Sequence, residues 1–289
     1  MPGETTPSPR TVRARAASQF ESAVTALIEL DGGEVGTVYR LDFADRASVV
    51  AKVGDTPLTV EARMLRSLAA ESDLPVPTVY DATDDLLFMA YVEGDGAFTP
   101  AVERDIADHL AALHDVTAER SGFPFDTLSG PYRLPNPWTD SWVEFFREHR
   151  LLDAAEAAAT EGTLPPGDAE RVDALAADLE AILREPDAPA LVHGDVWREN
   201  VVVRDGAVRA FLDPAVYYGH PEVELAYVAL FDSFGDAFFD RYADRRGIED
   251  GFFETRATAY GVFPLLEHVR YFGRDYLPRL RESLAELGY

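Results

Sequence analysis

The chain has 289 residues, enough for one large core or two modest lobes. Its 52 acidic residues outnumber 26 basic ones, and a formal net charge of −26 repels phosphate backbones, which argues against nucleic-acid binding. There is no cysteine, so disulfides, thiolate nucleophiles and Cys-ligated zinc are excluded together, and a cytoplasmic setting is expected.

Every cation is Arg except one, Lys52. Excess acid with almost no Lys reads as adaptation to a high-salt cytoplasm, where salt screens self-repulsion. A GC-rich genome encoding an acidic protein gives the same pattern. Under either reading, the position that keeps its Lys asks for a reason.

Taken in chain order, residues 1–17 are rich in Pro, Thr and Ser, with no apolar core behind their charges. They are expected to form a disordered lead-in and not a signal peptide. No later apolar run is long enough to span a bilayer. Residues 20–30, "FESAVTALIEL", have helical spacing. "DGGEVGTVYRLDF" carries Gly32, Gly33 and Gly36 and turns into an alternating strand. "ASVVAKV" is a short β-branched strand with Lys52 inside it. "LTVEARMLRSLAA" is a helix with Val60, Met64, Leu65 and Leu68 on one face and Glu61 near its start. "VPTVYDATDDLLFMAYVEG" gives two strands turned at Asp84-Asp85. Residues 18–93 therefore read as a β-rich lobe with one helix.

Past a boundary at Tyr91–Gly94 the pattern changes. "AVERDIADHLAALHDV", "WVEFFREHRLLDAAEAAA", "DAERVDALAADLEAIL", "VELAYVALF" and "FFETRATAYGVFPLLEHVRYF" all have helical periodicity. The one strand-like interruption is "NVVVRDGAVRAFLD". Residues 94–289 thus form a larger, mostly helical lobe, and the predicted fold is α+β and bilobal.

That interruption carries the chemistry. Asp205-Gly206 favours a tight hairpin turn, which sets Asn200 and Asp213 at the hairpin's open end. Neighbouring strands lie about 5 Å apart, so a carboxamide oxygen and a carboxylate there can share one Mg²⁺. Asp195 stands just before, in "HGDVWREN", where it can take a proton from an attacking hydroxyl. A strand Lys that neutralises phosphates, a helix Glu that pairs with it, and backbone amides of a Gly-rich loop complete the set used for phosphoryl transfer. In this chain these are Lys52, Glu61, and Gly32, Gly33 and Gly36.

In this order of motifs the chain resembles the kinase-like phosphotransferases, which include aminoglycoside phosphotransferases and choline kinases. It resembles most the fructosamine (ketosamine-3) kinase family, through "LAALHDVTAERSGFPFDTLSG", "LPNPWTDSWVEFFREHRL", "HGDVWRENVVV" and "FLDPAVYYGHPEVELAYVALF". The resemblance runs from about Ser18 onward. It implies a protein-kinase-like fold with ATP between the lobes, Met89 at the back of the cleft, and the backbone of Ala90 and Val92 on adenine. It also implies a glycated amine as substrate, phosphate transfer to the sugar 3-hydroxyl, and a role in deglycation repair. Two departures stand out: the Gly loop reads "DGGEVGTVY", and Glu224 occupies a place where related enzymes carry Asp. Glu224 reads as a structural acid.

His193 reads as a turn-fixing residue that donates a hydrogen bond. Trp197 is a candidate to stack on a sugar, with core packing as the alternative, while Trp138 and Trp142 read as core, with a place in the substrate wall as the alternative. His109, His114, His149, His220 and His268 show no metal-site spacing and read as ordinary. Two other functions fit the same motifs. One is a kinase of aminoglycosides or other small amino-alcohols, since acidic pockets suit cations. The other is a nucleotide-binding regulator without transfer activity, against which stands the presence of Lys52, Asp195, Asn200 and Asp213 together. The sequence leaves the oligomeric state open.

Overall fold

Alternating apolar residues from Thr37 to Ala90 build an antiparallel sheet in which successive side chains face opposite sides. The structure, a computed structural model, describes residues 6–30 and 36–289, so Gly32 and Gly33 lie outside the described residues. The sheet has the order β1-β2-β3-β5-β4. Its strands are β1 (Val24–Leu30), β2 (Thr37–Phe43), β3 (Val49–Val53), β4 (Val79–Thr83) and β5 (Leu86–Ala90). Each face is covered by a helix, and β3 shows why. Val49, Ala51 and Val53 pack with Leu41, Phe43 and Phe88 against Val12 and Ala16 of α1 (Pro9–Gln19). Val50 packs with Leu87 and Met89 against Leu58, Ala62 and Leu65 of α2 (Leu58–Glu71). Lys52 shares the α2 side by the two-residue period.

Two expectations are corrected here. The segment 20–30 is not a helix: Glu21 takes a φ of +50°, and Val24–Leu30 is a strand paired with β2, from Val24 opposite Phe43 to Leu30 opposite Val38. Its β-branched Val24, Thr25 and Ile28 fit a pleated surface better than a helix. The lead-in is also more ordered than its composition suggests. Ser8 accepts a hydrogen bond from Thr11 N and Pro9 opens α1, while Val12 and Ala16, one turn apart, are fully buried.

The chain divides into two compact units. The first comprises Met1–Val102, Thr127–Arg133 and Glu199–Ala215. It thus contains the expected hairpin, β9 (Val201–Arg204) with β10 (Ala207–Phe211). Asp205 and Gly206 have φ of +54° and +72°, the two positive values that a type I′ turn demands. The hairpin is fastened within this unit by Asp95 N on Val203 O (2.8 Å) and Phe211 N on Pro75 O (2.7 Å). A second small hairpin pairs β6 (Thr127–Ser129) with β7 (Tyr132–Leu134).

The second unit comprises Glu103–Asp126, Leu134–Arg198 and Val216–Tyr289. Its helices are most of α3 (Pro100–Leu113), α4 (Trp142–Phe146), α5 (Asp153–Thr160), α6 (Pro166–Ile182), α7 (Glu222–Leu230), α8 (Asp236–Arg246), α9 (Ala257–Phe272) and α10 (Leu277–Glu286). A short antiparallel pair, β8 (Ala190–Val192) with β11 (Tyr217–Gly219), lies among them and was not foreseen. Trp142 is core, as expected: it is fully buried, lies nearly parallel to Tyr217 at 6.3 Å, and donates from Nε1 to the Tyr260 hydroxyl (2.9 Å). A Cβ on Gly219 would come within 2.4 Å of its ring. Buried Arg150 lies 4.2 Å over the Tyr217 ring and donates to Asn136 Oδ1 at 2.5 Å. Trp138 departs from its core reading, since it is 38% exposed and precedes the helix rather than joining it. No helix among the described residues is long and apolar enough to cross a membrane.

Candidate functional site

The chain's one lysine sits on β3 facing α2, and there it meets two acids. Lys52 Nζ lies 2.7 Å from Asp213 Oδ1 and 2.9 Å from Glu61 Oε2. Glu61 reaches it because it stands in the first turn of α2, on the helix side packed to the sheet. Burial disfavours the ammonium, but the charges of Asp213 and Glu61 outweigh it and hold the Lys52 pKa above its ordinary value. Burial is also the main influence on Glu61; Lys52 pulls it down, the Asp213 carboxylate pushes it back, and the result is pushed up to about 7. One cation is thus shared by two acids, and only Asp213, with its side chain 47% exposed, opens toward solvent.

Asp213 takes a φ of +51°, a left-handed conformation uncommon for a residue with a side chain. The preceding residue closes the hairpin: Leu212 N donates to Asn200 O at 2.8 Å. That bond places Asn200 and Asp213 at the hairpin's open end. Asn200 is buried. Gly36 has a φ of +91°, and a Cβ there would lie 2.2 Å from Val53 O, so only Gly lets the chain pass the end of β3 so closely. Met89 is buried on the α2 side, and Ala90 and Val92 are half-buried. Ala90 N donates to Thr78 O (2.8 Å), so this N–H is not available to a ligand.

The donor set at the hairpin suits Mg²⁺: a carboxamide and a carboxylate are hard oxygen ligands. No group of three or more His, Cys, Asp or Glu among the described residues is arranged to hold a metal by itself. A cation at Asn200 and Asp213 would therefore take its remaining ligands from water or phosphate, as Mg²⁺ does.

In the second unit, β8 leads directly into His193, Gly194 and Asp195. Gly194 turns the chain with a φ of +86°. His193 is fully buried, and its Nδ1 accepts from Asp195 N at 3.3 Å. It therefore fixes the turn by accepting at this nitrogen, where a donor was expected. Behind the turn stands Glu224 of α7. Its Oε1 accepts from Gly194 N (2.7 Å), and its Oε2 accepts from His193 N (3.3 Å) and lies 2.9 Å from His114 Nε2. His114 Nδ1 lies 2.7 Å from the Tyr242 hydroxyl. Burial pushes the Glu224 carboxyl up, but His114, His193 and the Gly194 N–H outweigh it and hold the pKa below the usual carboxylate range. Glu224 is the structural acid expected, and what it braces is the Asp195 turn. His114 is not ordinary: it and Tyr242 were missed, although a His directly after α3, one turn past buried Leu110, was a signal. Asp195 and Trp197 are half-buried, and Arg198 ties the end of the turn to Ser233 O (3.3 Å).

A small antiparallel sheet with a buried strand Lys held to a helix Glu, joined in one chain to a helical unit that presents a braced H-G-D turn, defines an ATP-dependent phosphotransferase of the kinase-like fold. Residues 10–287 match the family model described as fructosamine kinase, and the chain belongs to that family. It is 36% identical over 185 residues to a probable ketoamine kinase of Synechocystis, covering 63% of this chain and 60% of that protein. It is 31% identical to a probable ketoamine kinase of Thermus thermophilus, covering 89% of this chain and 92% of that one. A crystal structure described as a "putative fructosamine-3-kinase" of Thermobifida fusca superimposes with a TM-score of 0.87 at 30% identity, over 97% of this chain and 99% of the other. An aminoglycoside phosphotransferase bound to ADP and hygromycin B shares the fold, with a TM-score of 0.69 at 17% identity over 96% of each chain.

Proposed function

We propose that the chain transfers the γ-phosphoryl group of ATP to the 3-hydroxyl of the sugar in a ketosamine, and that this serves deglycation. Asp195 takes the hydroxyl proton as the O3–P bond forms and the bond to the β-phosphate oxygen breaks, releasing ADP. Lys52, kept in place by Glu61, neutralises phosphate charge. The Gly loop ending at Gly36 covers the phosphates, and the segment from Met89 to Val92 receives adenine. Mg²⁺ held by Asn200 and Asp213 would supply further charge neutralisation on the phosphates. Trp197, two residues past the base, is assigned to the acceptor sugar. A 3-phosphate weakens the sugar–amine link, which supports the repair role.

The observation that carries this reading is the anchoring of the Asp195 turn through two backbone N–H bonds to buried Glu224, in a chain of the fructosamine kinase family. A backbone turn fixed in this way sets where the Asp195 side chain starts, which suits a base that must meet one hydroxyl. The acidic, lysine-poor and cysteine-free composition supports a high-salt cytoplasm as its setting. The test is coupled ADP release with Mg-ATP in concentrated KCl, offering fructosyl-lysine, ribulosyl-lysine and kanamycin separately. Turnover on a ketosamine and not on kanamycin supports the reading. Turnover on kanamycin alone transfers it to amino-alcohol kinases, and ATP binding without any transfer leaves a regulator.

A further inference from the structure

Five rings gather at the C-terminal end of α7 and the end of α9, within the second unit. Phe231, just past α7, has its centroid 4.8 Å from Tyr227 and 4.7 Å from His268 of α9. His268 lies 5.4 Å from Phe272 and 4.8 Å from Tyr276, and those two are 5.5 Å apart. A cluster built only for packing would bury its rings. Here Phe272 is 40% exposed, and the other four are half-buried.

The His in this cluster is chemically poised. Its Nδ1 donates to Pro264 O at 2.7 Å. With the proton on Nδ1, Nε2 of the neutral ring is an acceptor. Nε2 makes no hydrogen bond among the described residues, and it is not among the polar atoms sealed from solvent. Burial and the Arg279 charge lower the pKa of the ring, and the Pro264 carbonyl opposes them. An accessible fixed acceptor framed by aromatic faces has the two features a polyol needs: an acceptor for a hydroxyl, and flat apolar surface for the C–H side of the sugar.

The cluster is connected to the Asp195 turn at both ends of α7. At the N-terminal end Glu224 holds Gly194 N, and Glu224, Tyr227 and Phe231 follow the helical spacing of one face. At the C-terminal end Arg198, three residues past Asp195, donates to Ser233 O, two residues past Phe231.

We propose that Phe231, His268, Phe272 and Tyr276 form the cradle for the acceptor sugar, with His268 Nε2 accepting one of its hydroxyl groups. This inference rests on the ketosamine kinase reading above. It assigns His268 to recognition and leaves proton transfer with Asp195.

The test compares wild type with His268→Ala, His268→Gln and Phe272→Ala, using fructosyl-lysine and ribulosyl-lysine. His268→Ala should raise KM for the ketosamine by about 10- to 100-fold, the loss expected for a hydroxyl left without its acceptor. KM for ATP should stay close to wild type, while loss of the packed ring should lower the melting temperature. His268→Gln restores an acceptor oxygen and should recover part of the loss. Phe272→Ala, at an exposed ring, should raise the same KM without unfolding the chain. A second readout needs no turnover: the imidazole ¹⁵N signals of His268, identified by their loss in His268→Gln, should shift when fructosyl-lysine is added with Mg-ADP present. A shift in a wild type that turns over no ketosamine supports the cradle and removes the functional reading instead. Normal turnover with an unchanged acceptor KM in both Ala variants overturns the cradle. An unperturbed His268 signal with either sugar overturns it too, whatever the turnover.

Discussion

Glu224→Gln is the most informative single change in the second unit. The wild-type carboxylate is 2% exposed and meets three donor groups: Gly194 N, His193 N and His114 Nε2. Gln keeps the shape and one acceptor oxygen but turns an NH₂ toward groups that are themselves donors. Leaving a buried donor unmatched costs about 1–3 kcal/mol. We therefore expect a loss of about 2–4 kcal/mol, and about 3–5 kcal/mol for Glu224→Ala, which removes every acceptor and abandons the buried His114. At roughly 2–4 °C per kcal/mol for a chain of this size, Glu224→Gln should melt about 4–16 °C lower. The kinetic signature is separate: the Asp195 turn loses its brace, so kcat should fall by about tenfold or more while KM for ATP moves little. Glu224→Asp keeps the charge on a shorter arm and should fall between wild type and Gln. Calorimetry and steady-state kinetics in concentrated KCl decide it. Wild-type melting and kcat in Glu224→Gln would refute the brace.

Lys52→Met leaves Glu61 and Asp213 without their shared cation; we expect phosphoryl transfer to fall by about 10²–10³-fold, measured in single turnovers, as when one charge-stabilising donor is removed from an active site. Gly36→Ala must fit a Cβ 2.2 Å from Val53 O at a φ of +91°, so stability should drop by about 2 kcal/mol or more and KM for ATP should rise, read by thermal melts and kinetics. His220 and Glu224 should each contribute stability that is lost on acidification, against the Glu61 carboxyl, which is pushed up to about 7 and adds stability as pH falls toward about 4.3. Burial lowers the His220 pKa, with Glu222 and Glu249 opposing and Arg256 and His114 assisting. The unfolded chain therefore binds the proton first, and stability is lost as pH falls below about 6.5. Glu224, also held low, contributes stability above the ordinary Glu value, and that contribution is lost as pH falls below about 4.3. Denaturant titrations of wild type, His220→Gln and Glu224→Gln from pH 8 to 3.5 should isolate the two limbs as differences between the proteins, the upper one lost in His220→Gln and the lower one reduced in Glu224→Gln.

What the sequence made legible was local. The Asp205-Gly206 turn, the β-branched run around Lys52 and the amphipathic α2 each carry their own structural signal, so the hairpin, the strand Lys and the helix Glu could be placed in advance. The β1 segment could not be read this way. Phe20, Val24, Leu27 and Ile28 follow a helical period, and only pairing with β2 makes Val24–Leu30 a strand. The α1 helix was hidden by composition, although Ser8-Pro9 marks its start and Val12 and Ala16 mark its packed face. The brace behind the Asp195 turn is assembled from the residue that follows α3, from α7 and from α8, through His114, Glu224 and Tyr242. The largest of these separations is 128 residues, and no window of sequence reveals it. The docking of the hairpin on Pro75 and Asp95 is long-range in the same way.

The central claim is transfer of phosphate from ATP to a ketosamine 3-hydroxyl with Asp195 as the base. The most direct measurement is the position of the phosphate in the product of Mg-ATP and fructosyl-lysine, read by ¹H–³¹P correlation, with Asp195→Asn run in parallel. We expect phosphorus coupled to the C3 proton, and a rate about 10²–10⁴-fold lower in the variant. Phosphate on another carbon, or wild-type transfer by Asp195→Asn, would contradict the account.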